Sequence, residues 1–99
     1  MSDLLDVLGH KMGTMGEDFV VRDAKNAVRG HVTLNGEVFS VDNKKVGYFL
    51  ENGYIYKGTS HVGTVNSTGD IVDYENQHIG RVTGGHVMLG AAALLLLLR

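Results

Sequence analysis

Short runs of alternating apolar and polar residues, separated by polar turns, make up most of the chain from Asp18 onwards. The most regular runs are three copies of one motif that opens on Gly and closes on Val-Gly or Ile-Gly, at residues 36–47, 53–63 and 69–80. The opening glycines at 36, 53, 69 and 85 are 17, 16 and 16 residues apart, a period that suits one β-hairpin per copy. A degenerate copy over residues 19–32 lacks the opening glycine. The pattern predicts an all-β domain of four consecutive hairpins, in a meander or flower-like arrangement.

One column of this repeat is uniformly β-branched, and we predict that it forms the core. Its members stand two places after each opening glycine and are Val38, Ile55, Ile71 and Val87. Because strand side chains alternate between faces, the columns on either side point the other way. These outward columns hold Glu37, Tyr54, Asp70 and His86, and Phe39, Tyr56, Val72 and Met88. In the second strand of each copy, Gly47, Gly63 and Gly80 are the expected bulge sites.

The two ends of the chain predict helices. Ser2 as an N-cap, followed by acids and leucines up to Gly9, predicts a short helical segment within residues 1–17. Residues 90–99, Gly-Ala-Ala-Ala followed by five leucines and Arg99, predict a C-terminal helix that is apolar on every side. Such a helix is buried in protein or in lipid, and residues 87–98 fall short of the roughly 20 needed to span a bilayer. We expect it to pack in the fold or in a subunit contact, with membrane insertion as the alternative.

Length and charge narrow the classes of protein further. The 99 residues predict a single domain, residues 1–99, with the hairpins over 18–89. A formal net charge of -2 lacks the basic face that nucleic-acid binding requires. The chain has no cysteine, and acids stand near Met1 where a secretory signal would carry bases. We therefore expect a cytoplasmic location and no nucleic-acid partner, with a membrane-peripheral location as the alternative.

The repeated glycines also support a family resemblance. The motif carried by Gly36 with Val46-Gly47, Gly53 with Val62-Gly63, and Gly69 with Ile79-Gly80 resembles that of the 4-fold beta flower family. These are small bacterial proteins whose short hairpins are arranged like petals about an approximate four-fold axis. The resemblance covers roughly residues 19–87 and implies a fold. It implies no activity, cofactor or functional residue for this chain.

Histidines and tyrosines are the side chains with the most chemical potential. His61 and His78 occupy the same repeat position, and two aligned imidazoles can begin a zinc or nickel site. No acid accompanies them at a matching position, so we predict solvent-facing histidines and keep the metal site as the alternative. The four tyrosines could line a sugar or peptide surface, or could be ordinary half-exposed sheet residues; they are Tyr48, Tyr54, Tyr56 and Tyr74. We predict no catalytic residue and no cofactor.

Taken together, these features predict a non-catalytic scaffold or interaction module that forms homo-oligomers. The tail helix and the side that carries Phe39, Tyr56 and Met88 are the expected contact, because they combine large apolar groups with few charges. One alternative is a small metal-binding protein or hydrolase that uses His61 and His78. A second alternative is a peripheral membrane protein that uses its Leu-rich tail. The sequence identifies no ligand.

Overall fold

Ten short antiparallel strands form a closed barrel in the computed structural model, which describes residues 2–98. The strands are β1 (Ser2–Asp6), β2 (Lys11–Met15), β3 (Val20–Asp23), β4 (Val28–Val32), β5 (Glu37–Ser40), β6 (Lys45–Phe49), β7 (Tyr54–Lys57), β8 (Ser60–Val65), β9 (Asp70–Asp73) and β10 (His78–Thr83). Each strand pairs with the next along the chain, and β1 pairs with β10. This closure leaves no unpaired strand edge in the barrel.

The barrel contains five hairpins, one more than the four that the repeat predicts. The four predicted hairpins correspond to β3–β10, and β1 with β2 supplies the fifth. The prediction of an N-terminal helix is therefore wrong, because residues 2–6 and 11–15 are strands. Tertiary pairing explains the difference: β1 fills the gap between β10 and β2, with Leu4 opposite Val82. In that position Leu4 is completely buried, which a short exposed helix would not achieve.

The inward-facing side chains form two layers around the barrel axis. One layer comes from the first strand of each hairpin, and its members are all 0% exposed: Leu4, Val21, Val38, Ile55 and Ile71. The other comes from the second strands and consists of Met15, Val32, Phe49, Val65 and Val82, of which Phe49 is half-buried. The predicted core column is thus confirmed at its three strand positions. It is wrong at Val87, which belongs to a helix.

The C-terminal segment runs inside the barrel as a central helix. It is an α-helix, α1, over Val87–Ala93 and continues as a π-helix over Leu94–Leu98. Residues 91–94 are 0% exposed, so the tail packs within the fold, which is one of the two placements expected for it. The helix begins earlier than predicted, because a closed barrel has no edge to which residues 85–89 could add another strand. In the part of the chain that is described, no helix has both the length and the apolarity to cross a bilayer.

Each leucine of the tail faces one glycine in the barrel wall. The pairs run in reverse order around the barrel: Leu94 with Gly80, Leu95 with Gly63, Leu96 with Gly47, Leu97 with Gly30, and Leu98 with Gly13. A Cβ added to any of these glycines would lie only 2.6–3.4 Å from a leucine methyl. The glycines are 17, 17, 16 and 17 residues apart. One glycine per hairpin therefore makes room for one leucine of the central helix.

This pairing explains why the tail changes from α- to π-helix at Leu94. Five hairpins around an axis are about 72° apart, whereas an α-helix advances about 100° per residue. A π-helix closes i→i+5 hydrogen bonds and so turns through a smaller angle at each residue. Its leucines can therefore follow five successive hairpins more closely than α-helical leucines could. The spacing of the hairpins in the barrel thus favours a π-helix over residues 94–98.

We distinguish the two ends of the barrel by where the central helix begins. At one end, which we call the capped end, a carboxylate or hydroxyl at the start of the turn accepts backbone N–H groups; Asp23 Oδ1, for example, accepts from Lys25 at 2.9 Å and Ala27 at 3.0 Å. Asp6 and Asp73 do the same in their hairpins. At the other end, the mouth, the turns lie at residues 16–19, 33–36, 50–53 and 66–69, and the central helix begins. The strand ladders shift register at Gly47, Gly63 and Gly80, as predicted for bulges.

Candidate functional site

Because the central helix fills the interior, the barrel offers its outer wall and its mouth for contact with other molecules. Outward positions alternate with the buried core residues along every strand. Unlike the inward columns, these outward columns change character from hairpin to hairpin. The change is greatest between strands β4–β8 and the strands on the opposite side of the barrel.

Strands β4–β8 carry two neighbouring groups of stacked aromatic side chains, which together we call the aromatic wall. It consists of His31, Phe39, Tyr48, Tyr54, Tyr56 and His61. Three of its ring contacts join residues that are direct cross-strand partners: His31 with Phe39, Tyr48 with Tyr56, and Tyr56 with His61. Such pairs stabilise a sheet by up to about 1 kcal/mol each. The aromatic rings therefore stabilise the pairing of these strands and also form their outer surface.

The rings of the aromatic wall stack on one another. The His31–Phe39 and Tyr48–Tyr56 pairs have centroids 5.0 and 5.1 Å apart, and both are within 8° of parallel. The His61 ring stacks on Tyr54 at 4.8 Å and meets Tyr56 at 5.5 Å. These separations match the spacing of neighbouring strands, about 4.7–4.9 Å. Each ring thus lies against a ring of an adjacent strand.

One ion pair lies within the aromatic wall. Lys45 Nζ is 3.1 Å from Glu37 Oε2 and lies 5.5 Å from the centre of the Tyr48 ring. Glu37 and Tyr48 are themselves cross-strand partners. The wall therefore presents aromatic rings around one ion pair, and the two charges of that pair cancel.

The opposite side of the barrel is charged instead of aromatic. On β9 and β10, Asp70 Oδ1 lies 3.2 Å from Arg81 Nε and 3.6 Å from His78 Nε2. On β1 and β2, Lys11 Nζ lies 3.4 Å from Asp3 Oδ1. The outward positions of these strands hold the charged residues beside aliphatic and hydroxyl side chains such as Val72 and Thr14. This asymmetry makes the aromatic half the candidate contact surface of the barrel.

The two histidines considered for a metal site have different surroundings. His61 contacts the Tyr54 and Tyr56 rings, and its Nε2 lies 3.2 Å from Thr64 Oγ1. His78 instead lies beside Asp70. Among residues 2–98 there is no group of three or more His, Asp or Glu side chains that could hold a metal ion. The geometry gives no support to the metal-binding or hydrolase alternative.

Three of the four tyrosines considered for a binding surface come together in the aromatic wall, and the fourth does not. Tyr74 lies in the turn after β9 at the capped end and is 67% exposed. A hydrogen bond to Glu75 and the charge of that residue raise the pKa of Tyr74. Phe39 was predicted to face outwards with Tyr56, but its stacking on His31 was not predicted, because that contact depends on the register between β4 and β5.

The expected contact surface of tail helix, Phe39, Tyr56 and Met88 is also divided by the fold. Phe39 and Tyr56 lie on the outer wall, but the tail is inside the barrel and Met88 is at the mouth. Leucines packed inside the barrel are not available to a subunit or to lipid while the barrel is closed. Of the expected surface, only the aromatic part faces outwards.

Comparison with known proteins does not assign the chain to a family. No family model, no curated protein and no solved structure matches it. The resemblance to the 4-fold beta flower family therefore stays a prediction. Function has to be argued from the geometry of the wall and the mouth.

Proposed function

We propose that this protein is a non-catalytic interaction module that associates with a second copy of itself through the aromatic wall. The observation that carries the proposal is the confinement of six stacked aromatic side chains to one half of the barrel. Tyrosine is enriched at protein interfaces because its ring buries a large apolar area while its hydroxyl keeps a polar partner. We place the protein in the cytoplasm as part of the same proposal, because the chain contains no cysteine.

The charges of the wall favour a second copy over another kind of partner. In a two-fold symmetric contact, each residue of one copy meets a residue of the other and the reverse contact occurs as well. Glu37 of one copy can then face Lys45 of the other, because both charges lie in the same wall. A surface with one acid and one base is complementary in charge to an identical copy. It has no net charge that would attract a strongly charged partner.

The stacking of the rings argues against a sugar as the main partner. A sugar ring packs on the free face of an aromatic side chain, but these rings direct their faces towards one another across neighbouring strands. What the wall presents is a mixture of ring edges, hydroxyl groups and one ion pair. That surface resembles the mixed aromatic and polar composition of protein–protein contacts.

The size of the wall predicts a weak association. Five strands of about four residues cover roughly 20 by 15 Å, or about 300 Å². A standard interface buries about 800 Å² on each partner, and smaller contacts are transient. We therefore expect a dissociation constant on the order of 10–1000 µM. Association at this strength would follow the local concentration of the protein.

Sedimentation equilibrium tests the proposal. The unmodified protein should show a concentration-dependent monomer–dimer equilibrium, and Tyr54→Ser combined with Tyr56→Ser should weaken it at least about tenfold by removing two interface anchors. The matched control is Tyr74→Ser, which removes a more exposed tyrosine outside the wall. It should leave the equilibrium unchanged.

A charge exchange tests the same contact without removing a ring. Glu37→Lys alone should weaken the dimer, because a lysine at position 37 would then face Lys45 of the other copy and repel it. Adding Lys45→Glu should restore both the ion pair within the chain and the contact between copies. A protein that stays monomeric to about 1 mM contradicts self-association. If it instead binds an oligosaccharide or a peptide through the same tyrosines, the wall has a different partner and the proposal fails.

A further inference from the structure

The mouth of the barrel is filled at the start of one hairpin and open at the start of two others. At the start of a hairpin the chain passes through one backbone position with positive φ, occupied by Phe19 (63°), Gly36 (92°), Gly53 (91°) and Gly69 (93°). Phe19 adds a ring at this position, and it packs edge-on against His86 with centroids 4.9 Å apart. Gly36, Gly53 and Gly69 have no side chain at this position, and open cavities lie beside the first two.

The open side forms a curved groove, which we call the crescent. It consists of two cavities of about 520 and 410 Å³ that share Glu51 and Met88 in their linings. The larger cavity lies beside Gly53 and the smaller beside Gly36. Both fall within the range of small-molecule sites, about 300–1000 Å³, and barrel mouths are a common place for such sites. The crescent is on a different face from the aromatic wall and does not depend on self-association.

The lining of the crescent combines an apolar floor with one carboxylate. Val65, Val87 and Met88 supply apolar surface in the larger cavity, and Asn52, Ser67 and the imidazole of His86 supply polar groups. Glu51 is the one acid in the lining of either cavity. Within residues 2–98 no ion pair neutralises it.

These features define the chemistry of the occupant. We infer that the crescent binds a small amphipathic cation, with its apolar body against Met88 and Val87 and its ammonium group at Glu51. An anion would be repelled by this carboxylate. A purely apolar molecule would strip water from the carboxylate without replacing the lost hydrogen bonds, which is unfavourable. An amine with a short alkyl chain satisfies both parts of the lining.

Titration of the ¹⁵N-labelled full-length protein with hexylammonium, 1-hexanol and hexanoate tests this inference. These three probes share one apolar chain and differ in charge. Hexylammonium should bind most tightly, with a dissociation constant on the order of 1 mM for so small a ligand, and hexanoate most weakly. The amide shifts should concentrate on Gly53, Val65, Ser67 and Val87, which line the larger cavity. Shifts confined to other residues would overturn the assignment.

Two variants separate the charge from the shape of the crescent. Glu51→Gln keeps the size of an exposed side chain and should reduce the preference for hexylammonium over 1-hexanol by about fivefold, the upper range for an exposed charge pair. Glu75→Gln, an exposed acid at the capped end, is the matched control and should change nothing. Ser67→Trp should block all three probes, whereas Ser60→Trp at the capped end should not. An unchanged preference in Glu51→Gln refutes the inference even if the tryptophan variants fold poorly.

Discussion

Replacing Leu94 with alanine should remove a large share of the stability of this protein. Leu94 is completely buried at the start of the π-helix, and a methyl of its side chain lies close to Gly80 in the barrel wall. Leu→Ala substitutions at buried sites cost about 2–5 kcal/mol, because the lost transfer free energy adds to the cost of a cavity. The ring of hairpins limits how far the wall can collapse around the gap. We therefore expect a cost of about 3–4 kcal/mol.

Thermal and urea denaturation followed by circular dichroism measure this loss. A domain of this size shifts its midpoint by about 4–8 °C per kcal/mol, so Leu94→Ala should lower Tm by roughly 12–30 °C. Leu34→Ala and Leu8→Ala make the same chemical change at side chains that are 73% and 76% exposed. These two controls should change the free energy of unfolding by less than about 0.5 kcal/mol.

The five tail leucines also predict an order of effects. Leu94 is 0% exposed, Leu97 8% and Leu95 9%, whereas Leu96 and Leu98 are only half-buried. Alanine at the first three should therefore cost more than alanine at the last two. If Leu94→Ala costs less than about 1 kcal/mol, and so behaves like the exposed controls, the placement of the tail inside the barrel is refuted.

Three further predictions concern the interior of the barrel and one of its turns. Gly63→Ala should destabilise the fold by at least about 2 kcal/mol in urea denaturation, because the new Cβ would lie 2.6 Å from both the Val72 carbonyl oxygen and a Leu95 methyl; a neutral effect would contradict the close packing. Ile55→Asp should cost several kcal/mol by burying an unpaired charge, whereas Glu37→Ala should be nearly silent, and equal losses would mean that the two faces are inverted. Hydrogen bonds from the turn, led by that from Ala27, lower the pKa of Asp23, so its contribution is complete above the ordinary value of about 3.9 and is lost as pH falls through the lower folded-state pKa. Asp23→Ala should accordingly lose less stability on acidification than the unmodified protein; an identical pH profile would show that Asp23 is not involved.

The parts of the fold that were predictable are those that local pattern determines. The β-branched residues Val38, Ile55 and Ile71 have a period and a face that strand alternation alone assigns, and all three are buried. The bulges at the glycines follow from the spacing of apolar residues around them. The burial of the tail follows from the lack of any polar face. None of these inferences requires knowledge of distant contacts.

The errors arose where distant pairing overrides local preference. Residues 2–8 carry the cap and leucines of a short helix, yet residues 2–6 form a strand because β10 offers them a pairing edge. Gly85 and Val87 imitate the start of another hairpin, yet they lead into the helix because the barrel is already complete. The stacking of His31 on Phe39 depends on strand register in the same way. Such contacts depend on strand pairing, which a local sequence pattern does not predict.

Comparison of the five hairpins with one another separates what the fold requires from what it leaves free. Every hairpin places a glycine beneath a leucine and an apolar residue in the core, so variation at these positions is limited by packing. The outward positions carry no such demand, and there the hairpins differ. Strands β4–β8 carry the stacked rings, whereas β9, β10, β1 and β2 carry ion pairs beside aliphatic residues such as Val72. The mouth shows the same contrast, since Phe19 closes one side where Gly36 and Gly53 leave the other open. Because the barrel would fold with either choice at these positions, the aromatic wall and the crescent are where its function is to be sought.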